Sequence, residues 1–357
     1  MPVNTSSVMS APVRLIIVLA IMIAFYGADK FLAAQEQVEL RQEARSHYEK
    51  GQQLLQGGKS REAVVDFSRA YSIERSNRAY QLALATAQVV ANQNAAATET
   101  LGQLLTQDPN DGRANLLMAR LLAGSGRYRE ADSYYHRAIY GSWPTDMQTM
   151  PRAVRMELAG MLGSHGSGQE LLSELLLLQN ASAHDPANEK QIADLFLKAG
   201  SVQRASEAYR HILQENPEDL DARLNLAKAE LRAGNYRAAE NAVMAALRLQ
   251  PYNEGIQSQL RMVVRLASLD PTSRRLSTRE KYRRSVEILH RVQAELTACG
   301  QTLPEEPAPA QPGTPSNEMS EAILDRAENL WKQRNDACRR PSAPDDPLPL
   351  LMQKLAE

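Results

Sequence analysis

Small and apolar positions recur along the chain with a spacing of 34 residues. The leading position is small in six successive segments, separated by steps of 34, 34, 40, 34 and 34 residues: Gly51, Ala85, Ala119, Ala159, Ala193 and Ala227. An aromatic or branched residue follows sixteen residues after each of them, at Phe67, Leu101, Tyr135, Leu175, Tyr209 and Val243. A self-similar period of this length predicts a solenoid built from one supersecondary unit, because each unit needs its neighbours to bury its apolar face.

A second recurring position divides each unit into two halves, and it is occupied by Gly58, Asn92, Gly126, Gly166, Gly200 and Gly234. Glycine enters the left-handed conformation freely and asparagine is the next best residue there, so we expect a helix to end at each of these positions. Three units also close with a proline, which cannot continue a helix: Pro109, Pro217 and Pro251. Each unit is therefore predicted to consist of a helix, a tight turn, a second helix and a turn.

These positions resemble the tetratricopeptide repeat over about residues 44–253. The resemblance implies an all-α fold, a right-handed superhelix of about six helix pairs in which the small residues lie at close helix crossings. The step of 40 indicates an insertion of six residues near residues 141–150, and Leu171 replaces the usual alanine of the fourth unit. In this family the first helices of the units form a groove that mostly holds other proteins, so the implied partner is a protein or peptide.

The resemblance places eight polar residues on the groove side of the first helices: Arg113, Arg120, Lys190, Asp194, Lys198, Asn225, Lys228 and Arg232. Six of them are basic, which predicts a partner-binding groove with a basic lean. One subset of the family holds the C-terminal carboxylates of chaperones with a fixed set of lysine, asparagine and arginine. Asp194 stands where that set requires an amide, so this clamp is not assigned. The alternative interpretation is that the eight side chains are solvated charges on exposed helices.

An apolar segment precedes the repeats. Residues 13–34 are long enough to span a bilayer, which takes about 20 residues, provided that Asp29 and Lys30 reach the membrane interface. The sequence predicts a transmembrane signal-anchor at residues 13–34 after a short flank, residues 1–12. A cleaved signal peptide is the alternative, although Tyr26 stands where a small residue is wanted for cleavage.

The basic residues beside this segment do not decide its orientation. Arg14 lies on one side, and Lys30, Arg41 and Arg45 lie on the other. The short flank favours an anchor whose first residues stay inside while the repeats lie in the periplasm or another extracytoplasmic space. Secretion after cleavage and a scaffold that faces the cytoplasm are the other two locations that the sequence allows.

Beyond the repeats, the pattern predicts capping helices at residues 254–300, a proline-rich linker at 301–317, an amphipathic helix at 318–340 and a tail at 341–357. The stretch 274–291 carries seven basic residues. It could bind anionic lipid or nucleic acid, but apolar residues at helical spacing within it favour the solvated face of a capping helix.

The two cysteines, Cys299 and Cys338, each end a predicted helix. In an oxidising compartment they could form a disulfide, and otherwise they would be free thiols. A disulfide requires the last helix to run parallel to the helix that ends at Cys299. The linker of about 17 residues can reach some 50 Å and is long enough for that return.

Composition and motifs give no sign of catalysis. The net charge is −1 and there is no global basic bias, so no nucleic acid partner is expected. The six histidines are scattered, without paired metal-ligand spacing, and Ser164 follows no predicted strand. We therefore expect no cofactor, metal, small-molecule substrate or enzymatic activity. The predicted function is a membrane-anchored scaffold that binds polypeptides, and the alternative is a non-catalytic subunit of an envelope assembly or secretion enzyme complex.

Overall fold

The repeated pattern of small and apolar positions corresponds to helices throughout the computed structural model. The structure describes residues 11–180, 186–273, 276–303, 315–338 and 346–356, with the side chains of 11–18, 20, 21, 180, 186 and 187 left out. The helices are α1 (Ala11–Gln56), α2 (Ser60–Ile73), α3 (Arg78–Val90), α4 (Asn94–Gln107), α5 (Gly112–Gly124), α6 (Tyr128–Ile139), α7 (Met150–His165), α8 (Gly168–Asn180), α9 (Pro186–Lys198), α10 (Val202–Glu215), α11 (Leu220–Arg232), α12 (Tyr236–Leu249), α13 (Glu254–Leu269), α14 (Thr278–Ala298), α15 (Asn317–Ala337) and α16 (Leu348–Leu355). No strand occurs in these ranges beyond an isolated bridge between Asp111 and Ser142, so the predicted all-α class is confirmed for the described part of the chain.

The chain forms two units, Met1–Met161 and Leu162–Glu357. In the first unit, α1 to α6 pack in chain order, each helix against the next. In the second, α9 to α13 pack in the same way, and α14 packs against α15. Sequential packing of this kind is typical of a solenoid of helix pairs, as the period of 34 residues predicts.

Close helix crossings account for the small residues. The five alanines of the leading position are all 0 % exposed: Ala85, Ala119, Ala159, Ala193 and Ala227. At Gly51, an added Cβ would lie 2.8 Å from two ring carbons of Phe67. A larger side chain at these positions would overpack the contact between the helices.

The left-handed turns are confirmed at five of the six predicted positions. The φ angles are 75° at Gly58, 58° at Asn92, 76° at Gly126, 78° at Gly200 and 68° at Gly234. The prediction is wrong for Gly166, which does not adopt a positive φ. There, Ser167 and Glu170 begin α8 with reciprocal hydrogen bonds of 3.1 Å, from Glu170 N to Ser167 Oγ and from Ser167 N to Glu170 Oε2. This capping box starts the helix without a left-handed residue before it.

Gly200 allows a test of these turns that depends on backbone conformation alone, because no atom lies within 4 Å of a Cβ built on it. Gly200→Val should lower the free energy of unfolding by about 1–2 kcal/mol, since a β-branched residue is strained at positive φ. Gly200→Asn should have a much smaller effect. Denaturant unfolding of both variants measures the difference, and equal losses would contradict the left-handed turn.

The apolar segment and the first repeat helix are one continuous helix, α1, of 46 residues. Ala44 and Tyr48 near its end pack into the first unit, and the ring of Tyr48 lies 5.6 Å from that of Phe67. Farther towards the N-terminus, described apolar side chains are 53–73 % exposed: Leu19, Met22, Ile23, Phe25, Tyr26, Phe31 and Leu32. Among the described residues, no helix offers a stretch long and apolar enough to cross a membrane. The predicted span at 13–34 lies partly outside the described side chains, and the flank at 1–10 lies outside the described residues.

The C-terminal region has one helix more than the sequence indicates. Within the segment predicted to be a tail, α16 buries Leu348, Leu351 and Met352. These side chains join a core that includes Leu266 and Leu330. The linker residues 304–314 lie outside the described residues.

Most of the charges in the stretch 274–291 that the structure describes are engaged within the protein. Arg283 and Arg284 pair with Glu280 at 2.7 and 2.8 Å, and Arg291 pairs with Glu287 at 2.8 Å. Arg284 also donates to the carbonyl oxygens of Ala267 and Asp270, both at 2.9 Å, at the end of α13. These contacts favour the interpretation of a capping helix.

Cys299 and Cys338 are joined in a disulfide, with their Cα atoms 5.8 Å apart. Each follows the last residue of its helix, α14 or α15. Four residues earlier on each helix, Glu295 and Arg334 form an ion pair of 3.2 Å. Both contacts join C-terminal helix ends, so α14 and α15 run parallel, as a bridge between these cysteines requires.

Candidate functional site

The eight predicted groove residues divide between the two units, which are described separately. Arg113 and Arg120 lie on α5 of the first unit. The other six lie on α9 and α11 of the second unit: Lys190, Asp194, Lys198, Asn225, Lys228 and Arg232.

In the first unit, Arg120 is held by a carboxylate of its own unit. Its Nε and Nη2 atoms each lie 2.8 Å from one carboxylate oxygen of Glu157 on α7, and Tyr135 donates its hydroxyl to the same carboxylate at 2.8 Å. Burial opposes ionisation of Glu157, but the hydrogen bonds from Arg120 and Tyr135 outweigh it and lower its pKa. Two parallel bonds of this kind make a strong pair, so the charge of Arg120 is balanced within the unit.

Arg113 lies beside the residue that caps its helix. Asp111 accepts hydrogen bonds from the backbone N–H groups of Arg113 and Ala114, at 3.0 and 3.1 Å. The guanidinium Nη2 of Arg113 is 3.8 Å from Asp111 Oδ2, and that of Arg78 is 3.5 Å from the same oxygen. Arg113 therefore contributes to the junction between α3 and α5.

In the second unit, Asp194, Tyr209 and Asn225 form a cluster. Tyr209 is 0 % exposed and donates its hydroxyl to Asp194 Oδ1. Asn225 donates its amide to the same oxygen at 3.1 Å. Burial, together with the hydrogen bond to Asp194, raises the pKa of the Tyr209 hydroxyl, which therefore remains a donor at neutral pH.

The same three register positions supply the clusters of both units. They are the aromatic position of one repeat, the residue after its small position, and the residue two before the small position of the next repeat. In the first unit these residues are Tyr135, Arg120 and Glu157, and in the second they are Tyr209, Asp194 and Asn225. The first cluster pairs opposite charges, whereas the second surrounds a single carboxylate with neutral donors.

Lys190 is engaged at the start of α11. Its Nζ lies 3.1 Å from Asp219 Oδ1 and 3.2 Å from Asp221 Oδ2. Burial would lower the pKa of Lys190, but the hydrogen bonds to both carboxylates outweigh it and raise that pKa. Asp219 also caps α11 by accepting the N–H of Ala222 at 2.9 Å. Lys190 thus stabilises the junction between α9 and α11.

Three cations remain near the C-terminal ends of α9 and α11. Lys198, Lys228 and Arg232 are exposed. Arg232 donates through Nη1 to the backbone carbonyl of Leu197 at 2.9 Å, which orients it without neutralising its charge. In the described part of the chain, no carboxylate pairs with any of the three. We name these three residues, together with Asp194 and Asn225, the α9–α11 surface.

A cavity of about 440 Å³ lies beside this surface, between the end of α11 and helix α16. Its lining is Lys228, Leu231, Arg232, Ala233, Gly234, Tyr236, Leu350, Gln353 and Lys354. Lys354 is fixed by Asp270 Oδ2 at 2.8 Å and the carbonyl oxygen of Gly234 at 2.9 Å. Its Nζ also lies 4.8 Å from the ring centroid of Tyr236. We name this space the α11–α16 cavity.

The sequence did not indicate the residues that support this arrangement. The hydroxyls of Tyr135 and Tyr209 serve the clusters, although sequence reasoning assigned both rings to packing alone. The helix caps Asn77, Asp111, Asp219 and Asn253 were missed too. They occur in the register of the 34-residue period, so aspartate or asparagine eight residues before each small position was the available signal. No group of three or more histidine, cysteine, aspartate or glutamate side chains in the described ranges is placed to hold a metal ion.

A family model described as tetratricopeptide repeat matches residues 54–121 and 196–257, one segment in each unit. These segments make up less than half of the chain, and they support tetratricopeptide repeats as the building block of the fold. No curated protein sequence matches the chain.

Several solved structures are similar in fold. YrrB, described as a TPR protein with an unusual peptide-binding site, is 15% identical, with a TM-score of 0.44 over 54% of this chain and 95% of its own. The Pseudomonas aeruginosa protein pilF is 18% identical, with a TM-score of 0.43 over 62% of this chain and 97% of its own. The C-terminal part of a TPR repeat-containing protein from Cytophaga hutchinsonii is 10% identical, with a TM-score of 0.47 over 82% of this chain and all (100%) of its own.

Proposed function

We propose that the protein is a non-catalytic scaffold that binds a polypeptide at the α9–α11 surface of its second unit. The observation that supports this is the pair of exposed cations Lys198 and Lys228, which have no partner among the described residues although their neighbours are paired. Between them, Asp194 is held by Tyr209 and Asn225.

Such a surface offers the two kinds of group that an extended peptide needs. Lys198, Lys228 and Arg232 can donate to peptide carbonyls or carboxylates, and Asp194 can accept from a peptide N–H. Because Tyr209 and Asn225 already hold Asp194, little side-chain entropy is lost when a peptide binds there. A repeat scaffold presents these groups on rigid helices, as recognition of a peptide backbone requires.

Charge reversal at the surface should weaken capture of the partner. In the full chain, a photo-cross-linking residue at position 225 identifies the polypeptide bound in cells, and purified partner then gives the affinity. Lys198→Glu/Lys228→Glu should weaken binding about tenfold or more at low salt, and the loss should shrink as salt screens the charges.

The matched control is Arg237→Glu/Arg248→Glu, which reverses two exposed cations on α12 in the same unit. We expect this control to bind like the unmodified chain. Equal affinity of both charge-reversed variants, or binding that does not respond to salt, would contradict a role for the α9–α11 surface.

We also propose that α1 attaches the protein to a membrane and that the repeats lie outside the cytoplasm. The exposed apolar side chains of α1 support attachment, because such a surface is unfavourable in water. The disulfide supports an oxidising compartment. In fractionated cells, the protein should stay with membranes after an alkaline carbonate wash. Its thiols should become available to labels only after reduction.

Recovery of a chain shortened at its N-terminus would indicate a cleaved signal peptide instead. Thiols that react without reduction, and only in permeabilised cells, would contradict the extracytoplasmic location.

A further inference from the structure

We infer that the α11–α16 cavity binds an acidic side chain of the polypeptide partner together with a neighbouring aliphatic side chain. This inference deepens the proposed function and rests on it for the nature of the ligand. It assigns a binding role to α16, a helix outside the repeats.

The charge of the lining carries the first step. Its polar side chains, other than the buried Tyr236, are those of Lys228, Arg232, Gln353 and Lys354, and no carboxylate lines the cavity. The charge of Lys354 is balanced by Asp270 at 2.8 Å. Lys228 has no partner in the described part of the chain, and Arg232 contacts only a backbone carbonyl there. Two uncompensated cations therefore face one cavity, which favours an anionic group.

The rest of the lining limits what can carry that anion. Leu231, Ala233 and Leu350 are apolar, and Leu350 is 44% exposed. A volume of about 440 Å³ is at the small end of ligand sites and accommodates one or two side chains. A carboxylate beside an aliphatic group matches both parts of the lining, with the carboxylate at Lys228 and Arg232 and the aliphatic group against Leu231 and Leu350.

Helix α16 is held firmly enough to form one wall of the site. Lys354 donates to Gly234 O and to Asp270, and Tyr236 donates its hydroxyl to the carbonyl of Leu350 at 3.3 Å. Leu351 and Met352 on the same helix are 0 % and 1 % exposed in the core. The wall is thus fixed before a ligand arrives, which reduces the entropic cost of binding.

Two capped dipeptides test the inference on the full chain. Acetyl-Leu-Glu-amide carries both groups, and acetyl-Leu-Gln-amide is its neutral match. Ligand-observed NMR titrations should give an affinity at least about fivefold higher for the Glu dipeptide, the scale expected of a few partly exposed ion pairs. Added salt should reduce that preference.

Variants then locate the preference. Lys228→Gln/Arg232→Gln should abolish it. Gln353→Glu on α16 should reduce it by adding a carboxylate to the lining, and Arg237→Gln/Arg248→Gln on α12 should leave it unchanged. Equal affinity for the two dipeptides, or a preference that survives Lys228→Gln/Arg232→Gln, would overturn the inference. If position 225 still cross-links a partner in that case, the proposed function stands without the acidic subsite. Loss of both results would overturn the two together.

Discussion

Reduction of the disulfide between Cys299 and Cys338 is expected to lower the free energy of unfolding of the second unit by about 4 kcal/mol, as the chain-entropy treatment gives for a loop of this size. The bridge closes a loop with a sequence separation of 39 residues. Once it is broken, the unfolded chain gains conformational freedom. The folded unit keeps the packing of α14 on α15 and the ion pair between Glu295 and Arg334.

Denaturant unfolding with and without a reductant measures this loss. The matched control is Cys299→Ser/Cys338→Ser, which should unfold near the midpoint of the reduced protein and should not respond to the reductant. Unchanged midpoints of the unmodified chain after complete reduction would show that the bridge contributes nothing to stability.

Tyr209→Ala is expected to lower the free energy of unfolding by about 3–5 kcal/mol, the range for removing a large buried side chain. Tyr209 is 0 % exposed, and its loss leaves a cavity between helices as well as removing the hydroxyl that Asp194 accepts. Tyr209→Phe keeps the ring and removes only the hydroxyl, so it should cost about 1–2 kcal/mol.

Unfolding of these two variants separates packing from hydrogen bonding. Tyr252, which is 94% exposed, provides the control, and Tyr252→Ala should change stability by less than about 0.5 kcal/mol. Equal losses for Tyr209→Ala and Tyr209→Phe would mean that the ring contributes little and would contradict the assigned packing. Unaltered partner binding by Tyr209→Phe would indicate that Asp194 keeps its position without the phenol.

The repeats could be predicted because the constraints on them are local. A close crossing excludes large side chains at Ala193 and Ala227, and a left-handed turn selects glycine at Gly200. Each constraint leaves its mark at one sequence position and recurs with the period. Gly166 shows the limit of this reasoning, because the capping box of Ser167 and Glu170 ends the requirement for a left-handed residue.

The pairing of charges could not be predicted, because partners come from other helices. Arg120 has the same composition and register signals as a free groove cation, but its carboxylate, Glu157, is 37 residues away. Lys190 likewise meets Asp219 and Asp221 only through the packing of α9 beside α11. Helix α16 was missed for a related reason: eight residues are too few to show a helical period, and its burial depends on a core assembled from distant segments.

The continuity of α1 makes the orientation of the first repeat depend on the phase of a single helix. At about 1.5 Å and 100° per residue, the 46 residues form a rod of about 69 Å. Ala44 and Tyr48 fix one end of this rod in the first unit. Whatever binds the other end therefore sets the direction in which the first unit faces. Inserting one residue between positions 35 and 42 would turn the exposed apolar end by about 100° relative to the repeats, and inserting seven, close to two turns, would nearly restore the original direction at about 10 Å greater distance.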